Sequence, residues 1–266
     1  VKPIEDIEAI GVKRELGTNK VYVWGHGKSL NARIAISKPA LLSAKILKES
    51  LKKNGIQVSG DAKSVDWRSE SKSNTKNTPE IVSIESQKLS DVVREMNKDS
   101  VNLFAELILR TLGKKFGNEA PDEDPKMQKL RGDDSAGASF IKKWLSDKNI
   151  ASDEIAVHDG SGLSRLNFAT PESIARALVY GARADFSGTL KESLPVSGRS
   201  GTLKNRLKSV PGKVLGKTGS VTYVNSLAGF AQSKNEVFSF AVILNNSTRK
   251  KGSSEFIDQL LVQVVN

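Results

Sequence analysis

Residues 214–230 read VLGKTGSVTYVNSLAGF, a stretch rich in β-branched and small residues. It predicts two strands, Val214–Val221 and 226–232, joined by a short turn. A third strand is predicted at 237–245 and a closing helix at Ser253–Val265. Helical patterns precede this run of strands. The predicted fold class is therefore α/β of the segregated (α+β) type, an antiparallel sheet flanked by helices.

The first of these strands carries the tripeptide Lys217-Thr218-Gly219. A peptide can pair with an exposed strand edge while a lysine and a threonine hydroxyl hold its carboxylate, and Gly219 would let its backbone approach closely. Far upstream, Ser100-x-Asn102 lies where two predicted helices meet, which would present both side chains to a cleft. A helix-capping role explains Ser100 equally well. K-T-G and S-x-N motifs accompany an S-x-x-K nucleophile in penicillin-binding proteins and class A β-lactamases.

The nucleophile of such a site is not evident. The S-x-x-K pairs considered are Ser69–Lys72, Ser73–Lys76 and Ser247–Lys250. The first two lie in a hydrophilic loop, and the third lies at a basic turn after a strand. A catalytic lysine must be partly neutral at about pH 7, which requires burial. None of the three pairs is therefore expected to supply the reactive serine.

Composition excludes several other function classes. The chain has no cysteine, which rules out disulfides, thiolate metal sites and cysteine nucleophiles, and its two histidines form no metal-ligand pattern. No apolar run is long enough for a transmembrane helix, and the first residues lack the pattern of a signal peptide. The net charge of +11 favours anionic surroundings, but no aromatic-plus-basic motif indicates nucleic acid as a partner.

The first eighty residues predict a smaller unit. Residues 20–24 alternate as a strand, and the following GHGKS at 25–29 resembles the end of a phosphate-binding loop. Tyr22 stands where that motif needs its first glycine, so we interpret 25–29 as a turn. A helix at Pro39–Lys53 follows, and then a strand that begins with residues 56–58. The polar stretch 68–79 predicts a loop at the boundary between 1–80 and 81–266.

The part from 81 onward predicts mostly helices. The predicted elements are a strand at 81–84, a helix at 89–96 capped by Ser86 or Ser90, a helix after Ser100, a charged turn-rich stretch at 117–131, a helix at 135–145, a strand at 155–158, and a helix that Thr170 caps and Pro171 begins. In the helix after Ser100, the residues expected to face inward are Leu103, Ala105, Leu107, Ile108 and Leu112.

Together these segments resemble the low-molecular-mass penicillin-binding proteins of class C, the D-Ala-D-Ala carboxypeptidase/endopeptidase family. The segments that carry the resemblance are SVNLFAELILRTLG at 100–113, HDGSGLSRLNFATPESIARAL at 158–178, SLPVSGRSGTLKNRL at 193–207 and GKTGSVTYVNSLAGF at 216–230. Residues 159–165 and 194–206 are more specific to the family than K-T-G itself. PALLSAKILKESLKKNGIQVSG at 39–60 is similar, more weakly, to the end of a domain that the family inserts.

The resemblance implies the penicillin-binding/β-lactamase-like transpeptidase fold. It also implies a serine-type D-Ala-D-Ala carboxypeptidase/endopeptidase that acts on peptidoglycan peptides through an acyl-enzyme and is a β-lactam target, with no metal or organic cofactor. The catalytic residues that the resemblance implies are Ser100, Asn102 and Lys217. The implied substrate-binding residues are Thr218, Gly219 and Ser220, with the Ser220 amide in the oxyanion hole. A structural motif nearby consists of Asp159, Gly160, Ser161 and Gly162.

In that family the S-x-x-K nucleophile precedes the inserted domain. The resemblance therefore implies that 1–80 is the end of an inserted accessory domain, that 81–266 is the C-terminal part of the peptidase domain, and that the nucleophile helix and first sheet strands lie outside these residues. A periplasmic or extracellular location follows from the substrate. Two other interpretations stay open: a non-catalytic homologue that binds wall peptide, and a basic polymer-binding module. The peptidase interpretation predicts that Ser100 and Asn102 face Lys217 across a groove.

Overall fold

The structure, a computed structural model, describes residues 10–26, 30, 32, 34–65, 79, 82–117, 133–150, 152–234, 236–247 and 252–266. In these residues the helices are α1 (Pro39–Lys53), α2 (Leu89–Asp99), α3 (Asn102–Phe116), α4 (Asp133–Asp147), α5 (Pro171–Arg183), α6 (Ser187–Ser193) and α7 (Ser253–Val265). The strands are β1 (Gly11–Arg14), β2 (Val21–Trp24), β3 (Ile155–Ala156), β4 (Phe168–Ala169), β5 (Val214–Val221), β6 (Val224–Ser233) and β7 (Glu236–Leu244). The chain divides into two units, Val1–Ser83 and Ile84–Asn266.

The smaller unit contains one hairpin-like sheet and one helix. β1 and β2 pair antiparallel, with Gly11 opposite Trp24. α1 begins at Pro39, as predicted, because proline suits the first helical position. The predicted strand at 56–58 is wrong. Ile56 and Val58 are 52% and 40% exposed, and no strand of the described residues pairs with them, so they have no ladder to join.

The larger unit is built on the predicted antiparallel sheet. β5, β6 and β7 lie in sequence order, with Thr218 opposite Leu227 and Ser226 opposite Ile243. One face of this sheet packs against α7, which forms at the predicted residues. The core that joins them consists of Leu203, Leu207, Val210, Val214, Leu227, Ala231, Phe240, Ile257, Leu261 and Val265. Arg206 also binds Asp258 of α7, with Nη2 2.8 Å from Oδ1.

The helices α3 and α4 cross closely because two glycines lie at their contact. A Cβ atom on Gly113 would lie 1.7 Å from the carbonyl oxygen of Asp133, and one on Gly137 would lie 2.1 Å from that of Leu109. Any side chain at these positions would push the helices apart. The Thr170 cap of α5 is confirmed, since its hydroxyl accepts a hydrogen bond from the Ser173 amide at 3.1 Å. No helix within the described ranges is long and apolar enough to cross a membrane.

Several local predictions are corrected. α2 begins after Lys88 and has no side-chain cap, so neither Ser86 nor Ser90 caps it. Leu103 and Leu107 are 62% and 50% exposed, because α3 buries the stripe that contains Leu109 and Gly113. The strand predicted at 155–158 is limited to Ile155–Ala156, where β4 offers a partner of only two residues.

The strand predicted at 81–84 does not form at 82–84, where Val82 and Ile84 are 77% and 91% exposed. Three other predictions lie wholly or largely outside the described residues: the turn at 25–29, the loop at 68–79 and the charged stretch at 117–131.

Shortening Leu227 tests the importance of the packed face of the sheet. Leu227 is fully buried, so Leu227→Ala should lower the free energy of unfolding by about 2–5 kcal/mol through lost burial and a residual cavity. Leu107→Ala, on the exposed side of α3, is the matched control and should change it by about 0.5 kcal/mol or less. Urea denaturation measures both. Equal effects of the two substitutions would contradict the assigned core.

Candidate active site

Ser100 and Lys217, 117 residues apart in the chain, meet in the larger unit. The Lys217 ammonium donates a hydrogen bond to Ser100 Oγ at 2.8 Å and another to the carbonyl oxygen of Thr218 at 2.9 Å. Lys217 lies in the middle of β5, half-buried, whereas Ser100 is exposed. Asn102 begins α3 two residues later and is exposed. The structure thus brings Ser100 of the S-x-N motif and Lys217 of the K-T-G motif into contact.

The turn between α2 and α3 holds Ser100 in position. Ser100 ends α2 with a left-handed backbone, φ 54° and ψ 53°, and the chain then re-enters a helix at Asn102. Lys98 anchors the end of α2, because its ammonium donates to the carbonyl oxygen of Leu194 at 2.6 Å and to Ser200 Oγ at 3.2 Å. Ser100 therefore depends on contacts with the segment 193–201.

Burial lowers the pKa of Lys217. The pKa of Lys98 is lowered as well, mainly by burial and secondly by the charge of Arg94. An amine with a lowered pKa takes up and gives up a proton more readily near neutral pH than an exposed lysine does. Lys217 and Ser100 together form a hydrogen-bonded pair through which a proton can pass.

The outer edge of β5 is covered along only part of its length. The amide of Gly216 donates to the carbonyl oxygen of Pro195 at 2.9 Å, and the Ser197 amide donates to that of Val214 at 2.9 Å. Because alternate residues of a strand direct their amides to the same edge, those of Thr218 and Ser220 point to this edge too. No strand of the described chain pairs with β5 there. This edge from Thr218 onward, the open edge, can pair with an extended peptide.

A loop that begins at Asp159 lies against α3. The Asp159 carboxylate accepts hydrogen bonds from the amides of Gly162 and Ser164, each at 2.6 Å, and from Asn167 Nδ2 at 3.0 Å. Burial alone would raise the pKa of Asp159, but these hydrogen bonds outweigh it and lower that pKa. A Cβ on Gly160 would lie 2.3 Å from the carbonyl oxygen of Ala105, so only glycine allows this approach.

Two side chains connect this loop to its surroundings, and the sequence analysis assigned neither. Glu106 Oε1 of α3 accepts a hydrogen bond from the Ser161 amide at 3.1 Å, and Arg165 donates to the carbonyl oxygen of Thr222, in the β5–β6 turn, at 2.6 Å. Glu106 lies one helical turn after Asn102, so the spacing of these two residues could have indicated that Glu106 lies close to the predicted site. The contact of Arg165 is non-local and left no signal in the sequence.

A cavity of about 600 Å³ lies against the second face of the sheet. Lys217 is on this face, since strand alternation places it opposite to the core residue Val214. The lining is mostly apolar and comes from α2, α3, α4, α5, the β3–β4 region and the sheet, with Met96, Ile108, Leu112, Ile141, Ile174, Val224 and Ile243 among its side chains. The core of the larger unit thus fills one face of the sheet, and the other face borders an open space.

The described residues do not supply a buried Ser-x-x-Lys pair. Ser69–Lys72, Ser73–Lys76 and Lys250 lie outside them. Two further matches, which the sequence analysis did not weigh, are Ser50–Lys53 in α1 and Ser139–Lys142 in α4. Lys53 and Lys142 are both exposed. Ser139 is two residues from the cavity-lining Ile141, which places it about 200° around the helix and away from that cavity.

The chain is similar to known proteins along most of its length. Residues 7–264 match the D-Ala-D-Ala carboxypeptidase 3 (S13) family. It is 26% identical over 249 residues, 88% of this chain, to a D-alanyl-D-alanine carboxypeptidase of Actinomadura sp. (strain R39), of which it covers 43%. It is 35% identical over 189 residues, 66% of this chain, to penicillin-sensitive carboxypeptidase A of Dictyostelium discoideum, of which it covers 34%. The chain thus spans less than half the length of these two relatives.

The fold is also that of a solved protein. Penicillin binding protein 4 of Haemophilus influenzae, in complex with a β-lactam, superposes with a TM-score of 0.68 at 23% sequence identity. The superposition covers 97% of this chain and 59% of that chain. This likeness confirms the predicted penicillin-binding fold.

The lowered pKa of Lys217 predicts a pH dependence of stability. Unfolded lysine titrates at about pH 10.4, so between the lowered pKa and this value the unfolded chain binds more protons than the folded chain. The free energy of unfolding should therefore rise with pH across that window. In the Lys217→Met variant the free energy of unfolding should no longer show this rise with pH. Lys142→Met, at an exposed lysine of α4, is the matched control. Urea denaturation at a series of pH values measures the effect. Parallel profiles of wild type and Lys217→Met would contradict it.

Proposed function

The chain belongs to the D-Ala-D-Ala carboxypeptidase 3 (S13) family, and from this premise we propose that it forms two walls of a serine-type D-Ala-D-Ala carboxypeptidase/endopeptidase site. The hydrogen bond between Lys217 and Ser100 carries the proposal, because it joins two motifs that are far apart in the chain. One wall is the open edge of β5. The other is the turn between α2 and α3.

The roles of the residues follow from their chemistry. Lys217 and the Thr218 hydroxyl would bind the terminal carboxylate of the peptide, since a cation and a hydroxyl make charge-assisted hydrogen bonds to it. The Ser220 amide, on the open edge, would donate to the oxyanion of the tetrahedral intermediate. Asn102 would hold the substrate amide. Gly219 would leave room for the peptide backbone, and the loop of Asp159, Gly160, Ser161 and Gly162 would support α3.

The reaction proceeds through an acyl-enzyme. A serine hydroxyl attacks the carbonyl carbon between the two D-alanines, its proton passes by way of Ser100 to the departing amine, and D-alanine leaves. Water then attacks the ester and restores the serine. We propose that this serine and its lysine come from a segment outside these 266 residues. The apolar cavity on the same face of the sheet as Lys217 supports this proposal, because one apolar face of a helix could pack into it.

In this proposal the unit 1–80 is the end of an accessory domain, and 81–266 is the C-terminal part of the peptidase domain. The substrates are peptidoglycan stem peptides or cross-links, which places the protein in the periplasm or outside the cell. β-Lactams would acylate the same serine. One relative is named a penicillin-sensitive carboxypeptidase, and a structurally similar endopeptidase of Bdellovibrio bacteriovorus has been solved in a form acylated by penicillin G, which supports this part of the proposal.

A non-catalytic protein that binds wall peptide is the second candidate. The observation that favours it is the lack of a buried Ser-x-x-Lys pair in the described part of the chain. Both candidates use the open edge of β5 and the Lys217 ammonium, so they differ only in the covalent step.

Labelling with fluorescent penicillin tests the function. We expect the 266-residue chain alone to remain unlabelled and the protein encoded by the complete gene to be labelled and to release D-alanine from a D-Ala-D-Ala peptide. In the latter, Lys217→Met should slow labelling by about 100-fold or more, because it removes a cation from the reacting centre. Gel fluorescence measures labelling, and Lys142→Met is the control.

Two outcomes would change the proposal. An unlabelled complete protein that still binds D-Ala-D-Ala peptide would favour the non-catalytic candidate. Covalent labelling of the 266-residue chain would show that one of its own serines is reactive, and would overturn the assignment of the nucleophile to another segment.

A further inference from the structure

We propose that Thr202 is a second hydroxyl ligand of the substrate carboxylate, acting beside Thr218. The inference rests on the proposed function and deepens it, because it adds a residue to the substrate-binding wall. Its basis is a contact across 16 residues of chain: Thr218 Oγ1 donates a hydrogen bond to Thr202 Oγ1 at 2.9 Å.

Thr202 lies where the open edge of β5 begins. Residues 195–197 cover the edge of β5 only as far as Gly216, whose amide donates to the carbonyl oxygen of Pro195. The chain then turns away and returns as the short 3-10 helix Gly201–Leu203. This return places the exposed Thr202 next to Thr218, at the first position where the edge is uncovered. A peptide that pairs with the open edge would end beside both hydroxyls.

The position of Thr202 is fixed on both sides. The preceding Gly201 has a φ of +59°, and a Cβ there would lie 2.7 Å from the carbonyl oxygen of Lys98. The following Leu203 is fully buried in the core. A hydroxyl held between a tightly packed glycine and a buried leucine loses little freedom when it binds a ligand, which favours affinity.

The chemistry of the pair suits an anion. Two hydroxyls bonded to each other carry two hydrogens, of which only one is used between them. A carboxylate is an acceptor with two oxygens, so it can take a hydrogen bond from each hydroxyl when their mutual bond opens. The charge of the neighbouring segment agrees, since residues 194–206 include the basic Arg199 and Lys204 and no acidic residue, while Arg206 is paired with Asp258.

The test measures binding of two peptides to the 266-residue chain. One is acetylated Lys-D-Ala-D-Ala with a free carboxylate, and the other is the same peptide with a C-terminal amide. Thr202→Val keeps the shape but removes the hydroxyl, Thr202→Ser keeps the hydroxyl, and thermal unfolding confirms that each variant is folded. Isothermal titration or NMR titration gives the dissociation constants.

We expect wild type and Thr202→Ser to prefer the carboxylate peptide. Thr202→Val should bind that peptide about tenfold more weakly or worse, because a hydrogen bond to a charged group is lost, and its affinity for the amide should change little. A Thr202→Val variant that is folded and keeps the wild-type preference would overturn the role of Thr202 and leave the proposed function standing. Wild type that binds neither peptide would instead overturn the proposed peptide site, and the inference with it.

Discussion

The contact between the end of α2 and the segment 193–201 is the constraint on which the site depends. Asn97 Nδ2 binds Ser193 Oγ at 2.8 Å, Lys98 binds the carbonyl of Leu194 and the hydroxyl of Ser200, and the next residue but one is Ser100. The same segment goes on to cover the first half of β5. One stretch of irregular backbone therefore sets the distance between the two walls, and the Lys217–Ser100 bond forms as a result.

The sheet is unequally supported on its two faces. The face toward α7 is a continuous core of residues such as Leu227 and Ile257, both fully buried. The face that carries Lys217 borders a cavity of about 600 Å³. Most of the burial free energy of the larger unit thus lies behind the site rather than in it. Packing on one face holds β5 in place, while the face of the sheet that carries Lys217 remains available to a further structural element.

Local signals in the sequence predicted the elements, and non-local contacts limited the prediction of the site. Val214–Val221 and Ser253–Val265 were predicted at their observed bounds, because β-branched runs and an amphipathic stripe are properties of a few neighbouring residues. The K-T-G and S-x-N motifs were found as patterns. The contact of Thr202 with Thr218 depends on how a turn returns to a strand, and the exposure of Leu103 depends on which stripe of α3 meets α4. Neither can be read from spacing alone.

The partial cover of β5 has a consequence for self-association. An unpaired strand edge is a template for any extended chain, including another copy of the same protein, and proteins commonly protect such edges with proline, charge or short length. Here Pro195 closes the edge up to Gly216, and the half-buried Lys217 places a charge at the point where it opens. A length suited to a short peptide is left free. On this side of the sheet, the edge that admits a ligand is thus shorter than the six or seven residues of a typical aggregation-prone segment.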